Sequence, residues 1–180
     1  VEYVNAYRLR GNAAMVVYDD RGSEGVRASD AFGALLADSP YLQQNAPALH
    51  QYLLGAPGKR PEGATDVIYW TREEMGGLRS TLLINHTVLY SPPDRPNITV
   101  AVTKQLFADH YFESALDLLI AVDRPDAQRG EGIYLMLLRE NRFDQLPRGV
   151  LNIRGRVKKG LTERAEAELR RMQRDYQAAF

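Results

Sequence analysis

The side chains best suited to chemistry in this sequence are His86 and Lys104. Both occupy even-numbered positions in segments where the neighbouring even-numbered residues are apolar. His86 lies between Ile84 and Val88, and Lys104 follows Val102. An imidazole can act as a general acid or base near neutral pH, and an ammonium group can position a substrate. Both groups are costly to bury without a polar partner. They are therefore the first candidates for a functional site.

Alternation of apolar residues on even numbers predicts that His86 and Lys104 share one face of two paired strands. With Ser91 to Asn97 as the turn, His86 is expected opposite Val102 and diagonal to Lys104. One interpretation is that both groups meet the polar head of an otherwise apolar ligand. The alternative is a hydrogen-bonded core histidine, with the Lys104 amine reaching solvent at the sheet edge. The first interpretation gives a ligand-binding set of Trp70, Ile84, His86, Val88, Tyr90, Val102 and Lys104.

Other acidic and histidine residues are weaker candidates for a site. His110 and Glu113 would pair as metal ligands or as acid and base on a helix, but the local alternation favours an extended chain, where they point to opposite faces. Glu73 and Glu74 diverge on a strand for the same reason. The sequence contains no Gly-x-Ser-x-Gly, no His-Glu-x-x-His and no Gly-rich phosphate loop ahead of a helix. We therefore predict no metal, no cofactor and no catalytic residue.

The composition excludes several classes of protein. Lys plus Arg and Asp plus Glu both number 23, so the chain lacks the electric field of a dedicated nucleic-acid binder, and we predict no nucleic-acid partner. Zero cysteines exclude disulfides and thiolate metal sites. No apolar run approaches the ~20 residues that span a bilayer, which predicts a soluble protein of the cytoplasm or the periplasm. The start at Val1, without Met, predicts that an upstream segment has been removed. Nothing predicts the oligomeric state.

The middle of the chain predicts a sheet that must position His86 and Lys104. Short polar, Gly or Pro-containing connections separate the candidate strands, so consecutive strands are expected to pair antiparallel in a meander. The connection at Asp109 to Tyr111 has no Gly or Pro to enforce a turn. The predicted strands are residues 66–72, 80–91, 97–108, 112–123 and 132–139.

Helices are predicted on both sides of this strand region. Residues 1–55 form a helical N-terminal part, beginning with a helix over 1–19, and the Gly- and Pro-rich stretch 55–63 is a linker. From Gly149 onward, apolar residues recur every three or four positions, which predicts one long amphipathic helix. Residues 64–180 would then hold the sheet and this last helix. The whole chain, 1–180, is expected to fold as a single α+β domain.

A basic segment at the start of the C-terminal helix suggests a second partner. Five cations and no acid lie between Arg148 and Lys159, and such a segment can make transient contact with anionic lipid headgroups. The alternative is a solvated helix face, because Glu163 and further acids follow within two turns.

Helices, then an antiparallel meander, then one long C-terminal helix is an order that resembles the START-like, or helix-grip, superfamily. The resemblance covers residues 66–177 and rests on the order of elements. Val1 to Tyr18 and the pair Tyr111-Phe112 also resemble parts of a bacterial protein group without an assigned activity. The START-like resemblance implies a curved sheet that wraps the last helix and leaves a cavity between them.

This resemblance leads to two expectations about function. The first is a non-enzymatic binding or carrier domain for a hydrophobic small molecule, such as a lipid, held between the sheet and the C-terminal helix. The alternative is an enzyme of the cyclase, hydrolase or isomerase type that uses the same cavity, with His86 as acid or base.

Overall fold

A five-stranded antiparallel sheet forms the centre of the computed structural model, which describes residues 1–19, 25–55, 60–74, 79–124, 132–144 and 153–179. Each strand pairs with its neighbour in the chain, so the predicted meander and the predicted α+β class are confirmed. The strand bounds differ from the prediction by at most four residues. The strands are β3 (Ala64–Glu73), β4 (Thr81–Tyr90), β5 (Ile98–Ala108), β6 (Phe112–Arg124) and β7 (Gly132–Phe143).

The N-terminal part contains more breaks than the sequence predicts. The expected helix over 1–19 ends early, because Gly11 takes a left-handed φ of 58° that an α-helix cannot continue. A short 3-10 helix (Gly11–Ala14) and a two-stranded ribbon follow. The elements are α1 (Glu2–Arg10), β1 (Val17–Tyr18), β2 (Val26–Arg27), α2 (Ala28–Asp38), α3 (Tyr41–Asn45) and α4 (Pro47–Leu53).

These N-terminal helices cover the even-numbered face of the sheet and form the main hydrophobic core with it. Phe32, Leu36 and Leu49 contribute the largest side chains from the helices and are fully buried or nearly so. Burial of such side chains is the dominant favourable contribution to folding. The strand residues on the other side of this core include Val88, Tyr90, Val100, Val102, Leu116 and Leu118.

The C-terminal helix, α5 (Ile153–Ala179), lies over the opposite, odd-numbered face. It continues through Gly155 and Gly160 without a break. Its predicted apolar stripe is only partly buried. Val157 is buried, whereas Leu161 and Leu169 are half-buried. The two faces of the sheet are therefore covered in different ways.

Two local features of the sheet were not predicted from the sequence. Tyr111 takes a left-handed φ of 62°, which makes the tight β5–β6 turn without a glycine. The β4–β5 pairing is offset by two residues from the prediction, so His86 lies directly opposite Lys104, not opposite Val102. The predicted turn was too short, because Ile98 pairs with β6 and not with β4.

Candidate functional site

The seven predicted ligand-binding residues lie on the face that the N-terminal helices cover. Val88 and Val102 are completely buried in the core, and Trp70, on the edge strand β3, is 70% exposed. The expectation that this set faces the C-terminal helix was therefore wrong. Bulky residues of α2 and α4 pack against the even-numbered face, and α5 covers the odd-numbered face. Whether these residues bind a ligand stays a prediction.

Lys104 is fully buried and is held by protein groups alone. Its Nζ donates to Asn12 Oδ1 and, at 3.0 Å, to the Leu53 carbonyl oxygen. The same atom lies 4.6 Å from the ring centroid of Phe32 and 5.3 Å from that of Tyr7. The predicted route of the lysine to solvent at the sheet edge was wrong, since none of its surface is exposed. With no carboxylate within salt-bridge distance among the described residues, burial lowers the pKa of Lys104 to about 7.

His86, opposite Lys104, is a hydrogen-bonded core residue. Its Nε2 lies 3.3 Å from Asp66 Oδ2 and its Nδ1 lies 3.0 Å from the Tyr7 hydroxyl. Since an ionised carboxylate only accepts, Nε2 carries the proton and Nδ1 accepts from Tyr7. Asp66 also accepts from the Tyr52 hydroxyl at 2.5 Å and from Arg60 Nη1 at 3.2 Å. The second of the two interpretations therefore describes the environment of this histidine.

The pKa values of this network follow from its burial and its hydrogen bonds. Burial lowers the pKa of His86 below its usual range, although Asp66 opposes this change. Burial raises the pKa of Tyr7, and it raises that of Tyr52 to about 12. Burial alone would raise the pKa of Asp66, but the hydrogen bonds from Tyr52 and His86 outweigh it and hold that pKa below its ordinary value. At neutral pH the network thus contains a neutral histidine and an ionised aspartate.

A cavity of about 560 Å³ lies between the odd-numbered face of the sheet and α5. The position of a cavity between the sheet and the C-terminal helix is as predicted, but its lining is not. About half of the lining surface is polar. The sheet side is formed by Tyr69, Thr71, Glu73, Leu83, Asn85, Thr103, Gln105, Phe112, Ala115, Asp117, Arg139 and Asn141, and the helix side by Leu161, Arg164, Ala167, Glu168 and Arg171.

Ion pairs hold α5 above this cavity. Arg164 on α5 contacts Glu73 on the edge strand β3, with 2.6 Å between Nη1 and Oε2. Arg139 on the other edge strand, β7, donates to both oxygens of Asp117 at 2.9 and 2.7 Å and to Glu168 at 3.3 Å. The hydrogen bonds to Asp117 are the main reason that the pKa of Arg139 is raised. These ion pairs therefore join α5 to both edge strands of the sheet, and the cavity lies between them.

Gln105 stands out among the residues that line the cavity. It is 3% exposed, and neither its Nε2 nor its Oε1 has a hydrogen-bond partner among the described residues. Neighbouring polar side chains are bonded to one another: Asn85 donates to Thr71 Oγ1 at 3.2 Å, and the Thr87 and Thr103 hydroxyls are 2.7 Å apart. Buried amides are normally satisfied, so an unpaired one on a cavity wall calls for an explanation.

The polar residues at odd-numbered strand positions indicated the face that lines the cavity, and the prediction did not use them. Odd positions of the strands carry groups such as Asn85, Gln105, Asp117 and Arg139, none of which was predicted as a site residue. Pockets commonly combine apolar surface with a few polar groups, and this face supplies such groups. A second helix layer over that face could have been inferred from the C-terminal helix.

The weaker sequence candidates are distributed over the surface. Glu113 accepts from Arg142 Nε at 2.8 Å, and His110 lies in the β5–β6 turn with its Nε2 3.9 Å from Asp109. Glu73 is the ion-pair partner of Arg164 described above. No group of three or more potential metal ligands occurs in the part of the chain that the structure describes.

Comparisons with protein-family models, with curated proteins and with solved structures give no match. The START-like resemblance therefore stays a prediction. Across the described ranges, no helix has the length and apolar character needed to cross a membrane. Of the basic segment Arg148 to Lys159, Arg148 lies outside the described residues, as do the side chains of Arg154 and Arg156. Lys158 and Lys159 are exposed on α5.

Proposed function

We propose that this protein is a binding domain for a small amphipathic molecule, held in the cavity between the odd-numbered face of the sheet and α5. The observation that carries the proposal is the 560 Å³ cavity, which is walled by both secondary-structure layers and contains an unpaired buried amide at Gln105. Sites for small organic ligands commonly have volumes of ~300–1,000 Å³.

The lining favours an amphipathic ligand over a purely hydrophobic one. Leu83, Phe112 and Leu161 provide apolar surface, but hydroxyl, amide and charged groups provide as much again. A lipid tail against these groups would leave them without hydrogen bonds, at a cost of roughly 1–3 kcal/mol for each group that is fully desolvated. A mostly apolar pocket lined by Leu42, Ile98 and Leu118 is also present on the other face, but its volume is about 170 Å³. That volume is below the usual range for such ligands.

The enzyme alternative has less support from the geometry. Its acid or base, His86, lies on the opposite face of the sheet from the cavity and is bonded at both ring nitrogens. A general base must come within hydrogen-bond distance of the proton that it takes. The network around His86 therefore supports a structural role in the core.

The proposal is tested by filling the cavity and measuring what the protein carries. Ala115 lines the cavity floor on β6, and Ala115→Phe would place a ring inside it. Ala121 is the matched control, since it lies on the same strand and face, is also half-buried, and is not among the cavity-lining residues. Small molecules released from purified, denatured protein are quantified by mass spectrometry for the wild type, Ala115→Phe and Ala121→Phe.

We expect a released compound that is present with the wild type and Ala121→Phe and is lost with Ala115→Phe. Circular dichroism melting curves establish that both variants fold. If a compound is retained equally by both folded variants, or if the wild type releases none even after incubation with cell extract, the proposed function is wrong.

A further inference from the structure

The geometry points to a specific class of ligand: a small molecule with a hydrogen-bond donor and an acceptor side by side, which pairs with both amide atoms of Gln105. Amides, lactams, imides and nucleobase edges have this pattern. The inference rests on the proposed function and narrows it from an amphipathic molecule to one with a donor–acceptor edge.

The position of Gln105 makes it the centre of the cavity floor. It lies on the middle strand β5, directly opposite Asn85 on β4, and Asn85 in turn lies opposite Tyr69 on β3. On the other side, β5 and β6 are antiparallel with Lys104 opposite Leu116, which places Ala115 beside Gln105, and Ala115 is paired with Asn141 on β7. A row of side chains thus crosses all five strands beneath α5, and four of its five members carry polar groups.

The row contains two buried amides, those of Asn85 and Gln105, and the amide of Gln105 is the one without a partner among the described residues. Asn85 is bonded to Thr71, and one row further along the strands Thr103 is bonded to Thr87 and Asp117 to Arg139. Neither polar atom of the Gln105 amide has surface open to solvent. Burial of this amide without hydrogen bonds is unfavourable. Rotation of the side chain toward a ligand in the cavity would therefore provide the hydrogen bonds that the amide lacks without ligand.

The chemistry of the ligand follows from the amide itself. Nε2 donates and Oε1 accepts, and the two atoms lie on one planar group. A lone carboxylate would satisfy only the donor, and a lone ammonium only the acceptor. A neutral donor–acceptor edge satisfies both atoms at once without bringing an unpaired charge into the cavity.

Two ring compounds that differ by one donor test this inference. The probes are 2-pyridone, which has the edge, and N-methyl-2-pyridone, which has lost the N–H. Binding is followed by two-dimensional ¹⁵N–¹H NMR of the full chain. The Gln105 side-chain signals are identified by their absence in Gln105→Met, and the backbone signals of Thr103 and Ala115 report occupancy of the cavity. Gln105→Met is nearly isosteric and keeps the cavity while removing both hydrogen-bonding atoms.

We expect 2-pyridone to shift the Gln105 side-chain signals and to bind at least about tenfold more tightly than its N-methyl analogue, since a lost hydrogen bond weakens affinity by about that factor. Gln105→Met should bind both compounds equally weakly. Equal affinity of the wild type for the two compounds, with shifts at Thr103 and Ala115, would overturn the inference while leaving cavity binding intact. Absence of any shift with 2-pyridone up to millimolar concentrations also overturns it, and the Ala115→Phe experiment then decides separately whether the cavity binds anything.

Discussion

The two faces of the sheet are built from alternate residues of the same strands, and they differ in almost every physical respect. The centre of the even-numbered face is covered by α2, α3 and α4 with fully buried apolar side chains, and its buried charged group, Lys104, is bonded to protein groups. The odd-numbered face is covered by α5, which forms ion pairs with both edge strands. Between α5 and this face lies the cavity, which is lined by the unpaired amide of Gln105. One face forms the main hydrophobic core, and the other borders a cavity of about 560 Å³.

The difference teaches that a buried polar residue is not by itself a sign of a site. Lys104 is more deeply buried than Gln105, but Asn12 and a backbone carbonyl bind its amine. Gln105 is buried beside open space and has no such partners among the described residues. Unpaired burial alone is not sufficient, since Ser114 and His50 also carry buried atoms that are unpaired within the described ranges, away from this cavity, and Gln105 differs from them in bordering open space.

The largest expected difference is in the stability that each covering helix provides. Leu36→Ala on α2 should lower the free energy of unfolding by about 2–5 kcal/mol, because it opens a cavity in a filled core. Leu161→Ala on α5 should lower it by no more than about 1 kcal/mol, because that side chain is half-exposed and already borders a cavity. Urea denaturation with a common m-value measures both. Equal losses would contradict the division between a core face and a cavity face.

The second prediction concerns pH and the core face. In the folded protein the pKa of Lys104 is about 7, against 10.5 ordinarily, so between these values the unfolded chain binds more protons. The stability should therefore rise with pH through this window, by up to about 1.4 kcal/mol per pH unit. The cost of burying the charge is fully present below pH 7 and is gone above 10.5.

Lys104→Met should remove this rise, as urea denaturation between pH 7 and pH 9.5 would show. The range stays below pH 10, because Tyr3 and Tyr52 have folded pKa values of about 12, and above pH 10 the unfolded chain loses those protons first. In that upper range stability falls with pH. A wild-type curve as flat as that of Lys104→Met would contradict the described burial of the lysine.

The smallest expected effect concerns the attachment of α5. Glu168→Gln weakens its contact with Arg139, while Glu166→Gln affects only a contact with Arg170 within the helix and serves as the control. Exposed ion pairs contribute less than about 1 kcal/mol, so the global stability should hardly change. Amide hydrogen exchange in α5 should become faster in Glu168→Gln than in Glu166→Gln, with β5 unchanged in both. Equal exchange rates in the two variants would show that the Arg139–Glu168 ion pair does not stabilise α5 on the sheet.

The sheet could be predicted from the sequence because strand alternation is a local property. All five strands and their antiparallel order follow from the period of two and the short connections. Helix α1 was predicted too long, because the left-handed conformation of Gly11 cannot be read from apolar spacing. The register of β4 and β5 was offset by two residues for a similar reason, since the turn between them also involves β6.

The site could not be predicted fully, because alternation shows that two faces exist but not which helices cover each of them. The sequence reasoning placed the C-terminal helix over the apolar face of His86 and Lys104, yet the N-terminal helices occupy it. That choice depends on long-range packing between residues such as Leu49 and Val102, which are far apart in the chain. The pairing state of Gln105 likewise depends on the final position of its neighbours.

The central claim is that the odd-numbered face of β5 borders the cavity of about 560 Å³, whereas its even-numbered face at Val102 is sealed in the core. The chain has no cysteine, so single thiols can be introduced without background reactivity. Val102 and Thr103 are adjacent on β5 and point to opposite faces: Val102 is fully buried in the core, and Thr103 lines the cavity. Val102→Cys and Thr103→Cys are both nearly isosteric, and the measurement is the rate at which each reacts with the small reagent methyl methanethiosulfonate.

We predict that Thr103→Cys reacts at least about a thousandfold faster than Val102→Cys under native conditions, because the core thiol becomes accessible only when the protein opens. The two rates should converge in denaturing urea, which shows that both thiols are reactive. Equal native rates, or faster reaction of Val102→Cys, would contradict the account.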